Sequence, residues 1–128
     1  MTLKYFTVTV DIWFHQDSDP GGGPEPYGWI RTYLPGKNKD EESIKIWSHE
    51  NNGETFSKKE VSFALVLPTL PSSINFYGDV KDSDTFSADD VLAYPQQIAN
   101  GRPGDIIKLR GDESDSYIDI KYSVKEMK

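Results

Sequence analysis

An alternation of apolar and polar residues with a period of two runs through most of this chain. Near the N-terminus every second residue is apolar, and the shared face consists of Phe6, Val8, Val10, Ile12 and Phe14. Successive side chains of a β-strand point to opposite faces of the sheet, whereas an amphipathic helix repeats every 3.6 residues. The segment is therefore predicted to be a β-strand with one buried face.

Seven further segments carry a strand-like pattern and are separated by clusters of Gly, Pro and Asn. They are residues 27–34, 43–47, 61–67, 74–80, 91–98, 106–109 and 118–124. In the third strand Ile44 and Ile46 are expected to point inward, and Pro95 interrupts the sixth. Short strands with such punctuation predict an all-β fold, an antiparallel eight-stranded β-sandwich that forms one domain over residues 1–128.

Helical signals are weak. A single turn is expected at most at residues 87–91, where Ser87 is suited to the N-cap and two aspartates follow in the first turn. Residues 125–128 are predicted to form a frayed tail.

Charge and composition narrow the function. The chain has 14 basic and 21 acidic side chains and a net charge of −7, which argues against a nucleic-acid partner. Cysteine is absent, which excludes disulfides and thiolate metal sites. Sequence motifs of nucleophilic, phosphate-binding or zinc-dependent enzymes are absent too, so we expect a protein that is not an enzyme.

The sequence shows no signal-peptide pattern and no apolar run approaching the ~20 residues of a membrane span. We therefore expect a cytoplasmic protein that associates with a membrane only peripherally.

Two acidic segments stand out against this background. Segment 82–90 follows the fifth strand and contains Asp82, Asp84 and Asp90, while segment 15–27 follows the first strand and contains Asp17, Asp19 and Glu25. Acidic residues in loops are usually only solvated, but Ca2+ prefers several oxygen ligands from flexible loops. Carboxylates brought together on two adjoining loops would repel one another, and a cation would relieve that repulsion.

The order and spacing of these residues resemble the C2 domains. The run Asp82-Ser-Asp84-Thr-Phe86-Ser87-Ala-Asp-Asp90-Val-Leu is similar to the family's third calcium-binding loop. The run Pro24-Glu25-Pro26-Tyr27, with Asp19 six residues before Glu25, is similar to the end of its first loop.

This resemblance implies a C2-like sandwich in the circularly permuted topology and a Ca2+ cofactor. The implied metal ligands are Asp19, Glu25, Asp82, Asp84 and Asp90. It further implies that Phe86 and Ser87, near the tip of the third loop, contact the ligand, which would be an anionic phospholipid membrane or a protein partner.

Two other functions fit the same sequence. One is a Ca2+-dependent carbohydrate-binding or adhesive sandwich, in which Trp13, Trp29 and Trp47 supply platforms for sugar rings. The other is a calcium-independent interaction scaffold whose acidic loops are only solvated.

Overall fold

The computed structural model describes residues 2–16, 23–83 and 89–127. Its elements in chain order are β1 (Lys4–His15), β2 (Pro26–Tyr33), α1 (Lys39–Glu42), β3 (Ile44–His49), β4 (Lys58–Leu67), β5 (Ile74–Asp82), β6 (Asp90–Ala93), β7 (Ala99–Gly101), β8 (Ile107–Arg110) and β9 (Tyr117–Met127).

Two antiparallel sheets pack face to face. One sheet has the strand order β4-β1-β9-β8, and the other has the order β3-β2-β5-β6 with β7 also paired to β5. The alternating residues of β1 form the centre of the core, since Val8, Val10 and Ile12 have no exposed surface. Ile30 and Phe76 face them from the second sheet and are equally buried. The predicted all-β antiparallel sandwich is thus confirmed.

The described residues form nine strands rather than eight, because the segment predicted at 91–98 divides into β6 and β7. Pro95 lies between these two strands, and proline cannot donate a ladder hydrogen bond. Helix α1 was not predicted. It is a single turn capped by Asn38, whose side chain accepts hydrogen bonds from Asp40 N at 2.8 Å and Glu41 N at 3.2 Å.

Three local predictions were wrong. Ile44 is 39% exposed, and Trp47 is the buried residue of β3, because the β2–β3 register shifts between Ile30 and Arg31. Residues 90 and 91 belong to strand β6 and not to a helical turn. The expected frayed tail instead continues β9 as far as Met127, which pairs with Tyr5.

The topology gathers the acidic segments at one end of the sandwich. Strands β1 and β5 end there, and β2, β6 and β9 begin there, because each of these neighbouring pairs is antiparallel. We call this the acidic end; it comprises the described residues of segments 15–26, 50–57, 82–90 and 111–116. Tyr5 and Met127 lie at the opposite end.

Candidate functional site

Three of the predicted metal ligands meet at the acidic end. Asp82 is the last residue of β5, and it pairs with Asp90, the first residue of β6. On its other side Asp82 pairs with Pro26, directly after Glu25. The predicted ligands Asp19 and Asp84 and the predicted contact residues Phe86 and Ser87 lie outside the described residues.

Asp82 fastens two strand ends together. Its Oδ1 accepts a hydrogen bond from Glu25 N at 2.6 Å, and Ser83 N donates in return to the Glu25 carbonyl at 3.1 Å. The side chain is only 3% exposed. The sequence indicated a solvent-open loop carboxylate; this was wrong for Asp82, because β5 continues through it and β2 and β6 flank it.

Asp89 and Asp90 contact neighbouring segments. The Tyr27 hydroxyl donates to Asp89 Oδ2, and Gln16 Nε2 donates to Asp90 Oδ2. Burial, followed by the hydrogen bond to Asp89, raises the pKa of Tyr27 to about 12. A carboxylate has two oxygens and about four lone-pair sites, so it can accept a hydrogen bond and bind a cation at the same time.

A third acidic segment, which the sequence analysis missed, lies beside these carboxylates. Residues 111–116 are held by hydrogen bonds from Gly111 N to the Ser116 carbonyl at 2.8 Å and from Asp112 N to the Val91 carbonyl at 3.0 Å. A Cβ at Gly111 would lie 1.7 Å from the Val91 carbonyl oxygen, so the approach of this loop to β6 requires glycine.

This approach brings Glu113 into the field of other carboxylates. The charge of Asp90, and secondly that of Asp115, raises the pKa of Glu113 above its usual 4.5, although Glu113 is fully exposed. The sequence signal was the run Asp112-Glu-Ser-Asp115 just before the last strand. Its proximity to Asp90, however, follows only from the docking of the loop on β6.

The acidic end is chemically suited to a hard cation, because carboxylate oxygens from separate segments converge there. Within the described ranges, however, no group of three or more His, Cys, Asp or Glu side chains is arranged to hold a metal ion. The described residues alone therefore do not form a complete ligand set, and the predicted set also includes Asp19 and Asp84.

Aromatic residues support this end from below. Trp47 is buried, with its ring centroid 5.0 Å from that of Phe14 and 6.3 Å from that of Phe56. Lys58 Nζ lies 5.2 Å from the centre of the Trp13 ring. Trp47 is thus part of the core and offers no exposed platform for a sugar. None of the helices in the described part of the chain has the length and apolar character needed to cross a membrane.

Comparisons with known proteins place this geometry in context. No protein-family model matches the chain, and no curated protein matches it. Among solved structures, it resembles a C2 domain at 14% identity with a TM-score of 0.42, and a C2 domain of plant extended synaptotagmin 1 at 13% identity with a TM-score of 0.43; each match covers 98% of this chain and 99% and 96% of the other. At these scores the structural match carries no argument for a relationship to C2 domains.

A much stronger match is a chain in the crystal structure of the Cry23Aa1 and Cry37Aa1 binary protein complex. The two chains are 36% identical, superpose with a TM-score of 0.85, and align over 94% of this chain and 98% of the other. This identity over almost the whole of both chains shows a common family. The protein described here belongs to the same family as that chain of the Cry23Aa1 and Cry37Aa1 binary protein complex.

Proposed function

We propose that this protein is a non-catalytic subunit that assembles with a second, different protein. The supporting observation is its similarity, at 36% identity over nearly the full length of both chains, to a chain crystallised in a binary protein complex. The match covers almost the entire sandwich, its edges and loops included. A surface through which that relative contacts another protein therefore has a counterpart in this chain.

Sedimentation velocity tests this proposal. The purified protein is mixed separately with Cry23Aa1 and with Cry37Aa1 at about 10 μM, a concentration that detects a dissociation constant in the micromolar range. We expect a heteromeric complex with one of the two proteins and none with the other, which is the relative of this chain. Unchanged sedimentation in both mixtures would contradict the proposal.

We further propose that the acidic end binds Ca2+. The favouring observation is the convergence of Asp82, Asp90 and Glu113 from three separate segments, with mutual repulsion strong enough to raise the pKa of Glu113. Such repulsion weakens the folded state, and a bound cation would offset it.

The proposed ligands are Asp82 and Asp90, with Glu25, Asp19 and Asp84 completing the set. Asp82 holds the ends of β2 and β5 together through its hydrogen bond with Glu25 N, so its carboxylate is already oriented. Gln16 orients Asp90 in the same way. Bound Ca2+ would supply positive charge and open coordination positions for the phosphate or carboxylate oxygen of a ligand, such as an anionic phospholipid or an acidic segment of the partner protein.

Thermal unfolding with Ca2+, with Mg2+ and with EDTA tests the cation proposal. A cation that binds only the folded protein stabilises it by about 2.7 kcal/mol at one hundred times its dissociation constant. We expect a rise in Tm with millimolar Ca2+ that Asp90→Asn removes. The control Glu60→Gln, which makes the same charge change on an exposed position of β4, should keep it.

Equal melting curves with Ca2+ and EDTA would refute calcium binding while leaving the two-protein assembly standing. If Ca2+ does stabilise the protein, sedimentation with phosphatidylserine vesicles then separates a lipid ligand from a purely protein one.

A further inference from the structure

Strand β4 presents an edge that natural sheets usually protect. It is the outermost strand of its sheet and pairs with β1 in an unbroken register from Lys58 to Leu67. No described residue pairs with its other edge. Residues 61–67, Val-Ser-Phe-Ala-Leu-Val-Leu, contain no charge and no proline, which are the common means of blocking an edge.

The two lysines at the start of β4 are already engaged. Lys58 Nζ lies 3.7 Å from Asp11 Oδ1, and Lys59 Nζ lies 4.4 Å from the centre of the Phe56 ring. At ~3.3 Å per residue, the seven uncharged residues beyond them span about 23 Å. That length exceeds a typical strand of about five to six residues, so it suffices for a strand to pair there.

Exposed apolar side chains adjoin this edge on the outer face of the sheet. Val66 of β4 is opposite Tyr5 of β1, and Tyr5 is opposite Met127 of β9. Their exposures are 46%, 61% and 51%, so the three form one apolar strip across three strands. The next row along the same face, Ala64, Thr7 and Lys125, holds a single charge.

The inner side of the same edge opens into a small apolar cavity. A cavity of about 120 Å³ lies between the two sheets, and Leu34, Ile44, Phe63 and Leu65 contribute to its lining. Phe63 and Leu65 are the inward-facing neighbours of Ala64 and Val66 on β4 itself. The cavity is several times the ~30 Å³ that one water molecule occupies in the liquid.

We propose that β4 is the docking edge for an extended segment of the partner protein, which pairs with residues 61–67 as an additional strand. This inference rests on the proposed two-protein assembly and names its interface. Side chains of the added strand alternate between two environments. One set lies beside Ala64 and Val66 on the outer face, and the other points to the cavity beside Phe63 and Leu65.

The partner segment should therefore have apolar residues at alternate positions that fill the cavity. Main-chain hydrogen bonds to the open edge would supply affinity, and the cavity would supply specificity. A second copy of this chain would also offer a strand, but it would bring a net charge of −7 against an equal charge. A less acidic protein avoids that repulsion, so we assign the edge to a different protein.

Hydrogen–deuterium exchange locates the interface in the mixtures of this protein with Cry23Aa1 and with Cry37Aa1. We expect the amides of residues 61–67 to gain protection in the mixture that forms a complex. We also expect Ala64→Lys and Val66→Lys to weaken that complex at least tenfold. Both positions are exposed, so neither lysine enters the core. The matched control Ile106→Lys changes a 60% exposed apolar residue outside β4 and should bind as tightly as the unmodified protein.

The alternative outcomes separate the two proposals. A complex whose protected amides lie outside β4, for example at the acidic end, overturns the docking edge and leaves the two-protein assembly intact. Protection of residues 61–67 by self-association alone overturns the assignment to a different protein. The absence of a complex with either protein overturns both proposals.

Discussion

The acidic end and the β4 edge are both continuations of the same alternating strands, yet they expose opposite kinds of atoms. At the acidic end, Asp82, Asp90 and Glu113 bring carboxylate oxygens from separate segments together. Along the β4 edge, residues 61–67 carry no charge, and Val66 and Tyr5 expose apolar surface.

The difference shows how one sandwich can provide two independent binding surfaces. Repulsion between carboxylates depends on charge and is relieved by a cation, whereas an open edge is satisfied by main-chain hydrogen bonds and apolar contact. Changes at one surface should therefore leave the other intact, and the following predictions test that independence in order of expected effect.

The largest effect is expected from Gly111→Ala. The added Cβ would lie 1.7 Å from the Val91 carbonyl oxygen, so loop 111–116 must move away from β6. We expect a loss of about 3 kcal/mol in the free energy of unfolding, measured by urea denaturation, because overpacking displaces backbone. Deuterium exchange in β4 should stay unchanged.

The control for that variant is Gly53→Ala at the same end of the molecule. A Cβ at Gly53 has no neighbour within 4 Å, and only its φ of +78° opposes the substitution. Its cost should be about 1 kcal/mol. Equal losses in the two variants would show that contact with β6 does not fix loop 111–116.

Asp82→Ala should have the next largest effect. The substitution removes the acceptor of the Glu25 N–H group at a buried position, which should destabilise the protein by about 2 kcal/mol in urea denaturation. It should also abolish any stabilisation by Ca2+. Glu60→Ala, an exposed change on β4, should leave both quantities near those of the unmodified protein; an equal loss there would contradict the special role of Asp82.

Glu113→Gln tests the repulsion directly through its pH dependence. Because Asp90 raises the folded-state pKa of Glu113, this carboxyl contributes stability that is fully present below 4.5 and is lost as pH rises through the raised folded-state pKa. The variant should remove that part of the pH dependence and be more stable than the original protein at neutral pH. An NMR titration of Glu113 that shows an unshifted pKa would contradict this prediction.

The smallest effect on stability is expected from Val66→Lys. The residue is 46% exposed, so the free energy of unfolding should change by less than about 0.5 kcal/mol. Light scattering should nevertheless show less concentration-dependent association, because a lysine protects the open edge. Unchanged association would indicate that the β4 edge is not the adhesive part of the molecule.

The extent of successful prediction follows from the range of the interactions involved. The faces of β1 and β9 were predicted residue by residue, because alternation is a local property and both strands keep a continuous register. The inward orientation of Ile44 was predicted wrongly, because a register shift in β2 turns β3 over relative to its pattern. Helix α1 has only four residues, too few to show a periodicity.

The candidate site divides in the same way. The sequence predicted that Glu25, Asp82 and Asp90 meet, since the ends of their strands could be read from the pattern. It did not predict that Asp82 is buried, because burial depends on the strands that flank β5. Nor did it reveal Glu113, whose partner Asp90 is more than twenty residues away in the chain and is reached only through the docking of Gly111 on β6.

The sequence by itself determined the strands, their buried faces and the acidic character of the connecting segments, because these depend on the period of apolar residues and on turn chemistry. Only the tertiary structure decided which strand lies at the edge and which carboxylates become neighbours. Those two properties depend on the pairing of distant segments, and the open edge of β4 and the repulsion at Glu113 both arise from it.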